Sequence, residues 1–295
     1  MKTETPKKRR PEFFLLWIAL IALITLILMT VLCLPYFDLP RRVPAPTKAP
    51  TEACTEPVTE PATEPTEPPT IPPDPNPHTR TDFQYDKNNY LRLTRGESYP
   101  GVDVSAFQGK IDWPRVRESG IRFAMVRLGY RGYGQKGTLV ADEFVQANLK
   151  GAKDAGLALG AYFFSQATSI EEVDQEIDFM LEILGDTKLD MPIVFDWEYI
   201  SDTARTANVD RRTLTDCALH FCQVMEEKGY QPMVYFNWTQ ASRLMHLNEL
   251  EDYPFWLALY SDRMNFPFDI EMWQYTSSGC VPGIQGDVDI NVYIP

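Results

Sequence analysis

The chain has 295 residues, a formal net charge of −13, five cysteines and three histidines. That acidic balance excludes the basic footprint nucleic-acid binding needs, and His78, His220 and His246 have no metal-ligand spacing. Neither a metal nor a cofactor is expected, and the length leaves room for one large domain or two small ones.

Residues 1–12 form a basic tail carrying Lys2, Lys7, Lys8, Arg9 and Arg10. From Phe13 to Leu34 there is no charge, and Thr25 and Thr30 are the polar interruptions. Such a run exceeds a signal-peptide core and matches the roughly 20 residues of a bilayer-spanning helix. No small-residue cleavage site follows it, so residues 13–37 are expected to be a retained transmembrane signal anchor. Cations before the run outnumber Arg41 and Arg42 after it. The positive-inside bias therefore puts the N-terminus in the cytoplasm and the rest outside, as a single-pass cell-membrane protein. Residues 38–81 repeat Thr-Glu-Pro at 55–57, 59–61, 63–65 and 66–68. With few donors, like charges and nothing apolar to bury, this stretch predicts a disordered stalk. Fully extended, it reaches about 120 Å.

Residues 82–295 carry the pattern of a folded domain. Short apolar runs predict strands at 101–107, 122–128, 158–165, 193–197, 233–237, 255–260, 271–275 and near 287–291. Amphipathic runs predict helices at 113–119, 141–155, 170–184, 213–228 and a short turn after Thr239. Gly120, Gly156, Gly185 and Gly229 are placed as helix C-caps, and Ser169 with Glu172 as a capping box. Cys217 and Cys222, on one predicted helix, lie about 8–9 Å apart at Cα, too far for a bridge. Cys33 falls in the anchor, Cys54 in the stalk, and Cys280 is left over. Strands alternating with helices, and then with loops, predict an α/β fold: an irregular (β/α) TIM-like barrel of eight strands and about five helices.

The run Pro192 to Glu198 is a buried strand ending in two acids. Alternation puts Asp196 and Glu198 on one side, roughly 6–7 Å apart at Cα. Like charges this close push at least one pKa upward, as a general acid near neutral pH requires. Glycoside hydrolysis runs on such a pair; a solvated strand end is the plain alternative. In β/α barrels the site lies at the C-terminal strand ends. There the other strands bring Asp103, Asp289, Tyr162, Phe164, Tyr235, Asn237, Trp238, Tyr260, Trp273 and Gln274. Aromatic faces suit pyranose rings, and acids and amides suit their hydroxyls. Phe107, Phe163, Phe195 and Phe236 are expected in the core, turned away by alternation.

Gly101-Val102-Asp103-Val104-Ser105, Gln108-Gly109 and Ile111-Asp112-Trp113 resemble the opening of family 25 glycoside hydrolases, the lysozyme type first known from a fungus and from phages. Gly160 to Phe164, Asp196-x-Glu198, Pro232 to Tyr235, Trp273-Gln274-Tyr275 and the 281–291 segment resemble that family's later strands, in order. The resemblance implies cleavage of the β-1,4 bond between N-acetylmuramic acid and N-acetylglucosamine in peptidoglycan. It implies Glu198 as general acid and Asp196 as stabiliser of positive charge on the ring or the 2-acetamido group. Asp103 and Asp289 would line the cleft, hold the pair in opposite protonation states and position substrate. The implied partners are peptidoglycan glycan strands and, through the anchor, the membrane; the catalytic domain is expected to be monomeric.

A chitinase-like barrel would carry an acid two before Asp196, where Val194 stands. An inactive, surface-anchored glycan-binding protein is the alternative from another class, and the intact acid pair argues against it. A phage lytic enzyme, chemically identical, usually lacks a retained anchor.

Overall fold

The computed structural model describes residues 75–79 and 81–295. The basic tail, the anchor run, Cys33, Cys54 and most of the stalk lie outside the described residues. Among the described residues no helix is long and apolar enough to cross a membrane.

A small hairpin, β1 (Phe83–Tyr85) and β2 (Leu91–Leu93), precedes the barrel. Then come β3 (Tyr99–Val104), α1 (Trp113–Glu118), β4 (Phe123–Arg131), β5 (Leu139–Ala141), α2 (Val145–Asp154), β6 (Ala158–Ser165) and α3 (Ile170–Leu184). They are followed by β7 (Ile193–Trp197), α4 (Arg211–Glu227), β8 (Pro232–Asn237), α5 (Trp238–Arg243), β9 (Phe255–Ala258), β10 (Met272–Gly279) and β11 (Val288–Tyr293). Eight strands close a barrel in the order β3-β4-β6-β7-β8-β9-β10-β11, with β11 returning to β3. Five α-helices accompany it, so the expected irregular barrel is the fold. β5 is an extra antiparallel strand on the edge of β4.

The irregularity has a physical cause. Six neighbouring pairs from β3 to β10 are parallel, whereas β11 pairs antiparallel with both β10 and β3. Residues 280–287, joining β10 to β11, are too few for the crossover that a parallel neighbour requires. The start of β11, not its end, therefore reaches the rim that the other strands reach with their C-terminal ends.

Inside the barrel, Phe123, Met125, Val194, Met233, Tyr235, Trp256, Ala258 and Met272 form a plug beneath that rim. Gly101 makes room for it: a Cβ there would lie 2.3 Å from the Phe123 ring, so a side chain at 101 would displace Phe123. Outside the barrel a larger apolar layer packs the helices against the strands, with Phe163, Phe195 and Phe236 in it as expected.

Several local expectations change. Ser105–Phe107 is not strand: Ala106–Gln108 is a 3₁₀ turn capped by Ser105. The helix expected from Ala141 starts at Val145, because Leu139–Ala141 pairs with β4. Ser169 makes no capping bond; Glu172 instead accepts from the Thr168 N–H (2.8 Å) and ion-pairs with Arg205. The four C-cap glycines do sit at positive φ. Cys217 and Cys222 are buried free thiols, and Cys280 is exposed. Residues 75–78 already touch the domain: the Asn76 N–H donates to Pro267 O (2.9 Å) and its side-chain amide to Phe266 O (3.1 Å).

Candidate active site

β7 is buried along its whole length. Its outward side chains lock it in place: Phe195 packs on Phe221 at 5.4 Å between ring centres, and Trp197 Nε1 donates to Ala167 O (3.0 Å). Its inward side chains are Val194, in the plug, and Asp196 above it. Past the last ladder pairs, two buried glutamines hold the chain. Gln240 Nε2 donates to the Trp197 carbonyl and Gln166 Nε2 to the Glu198 carbonyl. Gln166 is itself fixed, since its Oε1 accepts from Thr206 Oγ1 (3.1 Å) and its carbonyl from Arg205 (2.7 Å). The Gln240 Oε1 accepts the Asn237 N–H (2.9 Å) in the capping box that starts α5. Both carboxylates thus rise from backbone with little freedom to move.

Across the barrel Asp289 is registered opposite Asp103. Asp103 Oδ2 accepts from Gln274 Nε2 (2.9 Å) and Asn291 Nδ2 (2.8 Å). Those amides are oriented in turn: Gln274 Oε1 accepts from the hydroxyls of Tyr235 (3.2 Å) and Tyr260 (3.1 Å), and Asn291 Oδ1 from Trp256 Nε1 (2.8 Å). All four acids line one cavity of about 230 Å³.

Charge is scarce in that cavity because it is expensive there. Burial, then Asp289, pushes Asp103 up to about 8, against the two amide bonds. Burial pushes Asp289 up to about 6. Glu198 is raised by burial and then by Asp289. Asp196 is raised well above the carboxylate range by burial, then Glu198 and Asp103, with Arg127 opposing. Its Oδ1 is buried with no hydrogen-bond partner. Arg127, the cation of this cavity, is engaged by Asp142 at 2.8 and 2.9 Å and stacks over Phe107 at 5.1 Å. The site therefore favours protonated carboxyls, and among its buried oxygens Asp196 Oδ1 is left without a partner.

Two arms extend the cavity into a cleft. One, about 590 Å³, continues past Phe107 and Arg127 to Tyr130, Tyr133, Val140 and Ile200. The other, about 610 Å³, continues past Glu198 and Tyr260 to Tyr199, Asn237, Trp238 and Arg243. Aromatic side chains recur along the cleft walls, from Tyr130 and Tyr133 in one arm through Tyr162 and Tyr260 to Trp238 in the other.

Tyr162, Phe164, Tyr235, Tyr260 and Gln274 line the central cavity, and Asn237 and Trp238 the second arm. Trp273 does not belong to the site. It is fully buried, donates Nε1 to Leu259 O (2.8 Å) and packs on Phe83. Adjacent strand residues face opposite ways, so Gln274 inward means Trp273 outward. Phe107, expected in the core, is 86% exposed at the cleft, because the 3₁₀ turn swings it out. Arg127, Ser105, Gln108 and Trp256 also line the cavity. A signal for Arg127 existed: it is an arginine inside an apolar strand, at the inward parity of Phe123 and Met125.

The model of the glycosyl hydrolases family 25 matches residues 102–284. The chain belongs to glycosyl hydrolase family 25. It is a glycoside hydrolase, and the four acids and the cleft lie on or next to the matched segment. The family 25 chain is 27% identical over 219 residues to YegX of Escherichia coli, covering 70% of this chain and 74% of that one. To lysozyme M1 of Streptomyces globisporus it is 26% identical over 204 residues, covering 65% and 67%. Among solved structures it is similar to the modular autolysin LytC of Streptococcus pneumoniae, determined with a synthetic peptidoglycan ligand. The TM-score there is 0.60 and the identity 26%, over 72% of this chain and 50% of LytC. The match thus spans half the length of LytC.

Proposed function

We propose that this hydrolase is an N-acetylmuramidase that cleaves the β-1,4 bond between N-acetylmuramic acid and N-acetylglucosamine in peptidoglycan, in remodelling of the cell wall. The observation that carries the reading is four acids gathered in one cavity at the centre of an aromatic cleft. Likeness to a lysozyme and to an autolysin solved with a peptidoglycan ligand supports the choice of glycan.

In this mechanism Glu198, half-buried and with its pKa raised by burial and then by Asp289, donates its proton to the leaving oxygen. The scissile bond breaks as positive charge builds on the sugar ring. Asp196 stabilises that charge on the ring or on the 2-acetamido group, whose N–H suits the unpartnered Oδ1. Its own pKa is raised by burial, Glu198 and Asp103, so substrate binding has to supply the hydrogen bond and the positive charge that favour the ionised form. Asp103, held by Gln274 and Asn291, keeps its proton and spares the cavity another negative charge. Asp289 tunes Glu198 through space. Tyr162, Phe164, Tyr235, Tyr260 and Trp238 offer faces for the rings.

The sequence supports a place for this chemistry: a cytoplasmic tail, a membrane span at 13–37 and a stalk that holds the hydrolase domain outside, facing the wall. The test of the activity is clearing of purified wall by wild type and by Glu198→Gln, with analysis of the released ends. Wild type is expected to leave reducing ends at N-acetylmuramic acid, and Glu198→Gln to lose at least about a hundredfold in kcat. Reducing ends at N-acetylglucosamine, or equal clearing by both proteins, refutes the reading.

A further inference from the structure

The two arms of the cleft differ in charge. Among the described residues lining the central cavity and its arms, the cations are Arg127 and Arg243. Arg127 is consumed by Asp142. Arg243, exposed at the end of α5, makes no ion pair and no side-chain hydrogen bond among the described residues. It lines the arm that opens directly from Glu198, beside Trp238, which is 44% exposed. Phe266 packs edge-on beneath Trp238 at 5.6 Å, so this wall is backed by the core. The arm therefore holds a supported aromatic face and an unspent guanidinium in one lining, at the edge of a cavity holding four acids.

The cavity itself offers an anionic glycan no free cation, because Arg127 is already paired, and any acid that ionises there opposes a second negative charge. We propose that this arm is a carboxylate-reading subsite in which Trp238 stacks on a sugar ring and Arg243 pairs with a carboxylate that the glycan carries. The proposal rests on the muramidase reading and sharpens it. The ligand is a strand bearing an anionic substituent, either the lactyl ether of muramic acid or the peptide attached to it. An arginine suits this task because its planar fork binds carboxylate through two parallel N–H donors. A role confined to the C-terminal dipole of α5 would affect stability alone and would not depend on the ligand.

The test measures dissociation constants in the full chain carrying Glu198→Gln, so that cleavage is not needed for the readout. Arg243, Arg243→Gln and Arg243→Lys are compared on three soluble glycans of matched length: peptide-bearing wall strands, strands stripped of peptide with a free lactyl carboxylate, and N-acetylglucosamine oligomers with no carboxylate. Arg243→Gln is expected to weaken binding about tenfold on a carboxylate-bearing strand and less than about twofold on the neutral oligomer. Arg243→Lys is expected to recover part of the loss, and added salt to shrink the difference. Loss on peptide-bearing strands alone assigns the peptide carboxylate, loss on stripped strands alone assigns the lactyl group, and loss on both supports a subsite open to either. Equal losses on all three glycans, or no loss on any, overturn the subsite. Failure of the muramidase reading shows elsewhere, as wild-type protein releasing no ends from wall.

Discussion

Replacing Asp103 with asparagine should stabilise the protein at neutral pH. Asp103 is buried and raised to about 8, first by burial and then by Asp289. In the unfolded chain an aspartate titrates near about 3.9. A folded-state pKa above the unfolded one means that the folded state binds the proton more tightly. The resulting stability is intact below about pH 4 and drains away as pH rises toward about 8. Within that window each pH unit costs about 1.4 kcal/mol, so going from about pH 5 to pH 7 costs the fold about 2–3 kcal/mol. For a domain of this size that is a fall in Tm of about 5–10 °C. The asparagine side chain would stay neutral, and its carbonyl could still accept from Gln274 and Asn291. The variant should match wild type near about pH 4 and exceed it by about 2–4 kcal/mol near about pH 7. Asp289, raised to about 6, leaves some slope at lower pH, so the difference between the two proteins is clearest above about pH 6. Thermal unfolding followed by circular dichroism across pH 4–8 at fixed ionic strength provides the check. A variant as steeply pH-dependent as wild type above about pH 6, or less stable there, would refute the reasoning.

Three further outcomes follow from contacts in and around the site. Trp273→Ala should destabilise the fold by about 3–5 kcal/mol, because it empties a fully buried position. Trp238→Ala should leave Tm almost unchanged and raise KM several-fold; denaturant melts and wall-clearing kinetics on both variants distinguish these roles, and the reverse pattern refutes the assignment. Gln166→Leu removes the donor to the Glu198 carbonyl, and should lower kcat about tenfold or more with KM little changed, since Gln166 lines no part of the cleft. A change in KM alone in steady-state kinetics would count against it as a positioning residue.

Much of the fold was legible because the signals were local. Apolar runs of strand length and glycines past helix ends marked all eight barrel strands and the helices between them. The hairpin at 83–93 and β5 were not legible: each strand is only three residues long, β1 and β2 mix polar with apolar residues, and each depends on a partner strand for its existence. The acids were legible because carboxylates at a buried strand's end are costly enough to stand out. The aromatics were less so. Alternation permits either Trp273 or Gln274 to face the cleft, and choosing between them needs the strand's absolute phase. That phase is set by Met272 entering the plug. Phe107 was misplaced for a different reason: the chain leaves the strand at Val104, after which strand parity no longer governs. The amide clamps of Gln166 and Gln240 join residues 32 and 43 apart in sequence, and no local pattern announces them.

The antiparallel last strand and the chemistry of the site are one fact rather than two. Were β11 parallel to its neighbours, Val288 and Asp289 would enter at the barrel floor and Ile290 to Tyr293 would approach the rim. Asp289 would then lie far from Glu198. Because residues 280–287 only suffice to turn the chain back, the start of β11 comes up beside Asp103, with Asn291 paired to Gly101 one layer below. From there the Asn291 amide reaches upward to Asp103 Oδ2, while Trp256 holds its other end. The short loop thus supplies both the acid that raises Glu198 and the amide that orients Asp103. The departure from a regular barrel completes the acid set on which a glycoside hydrolase depends.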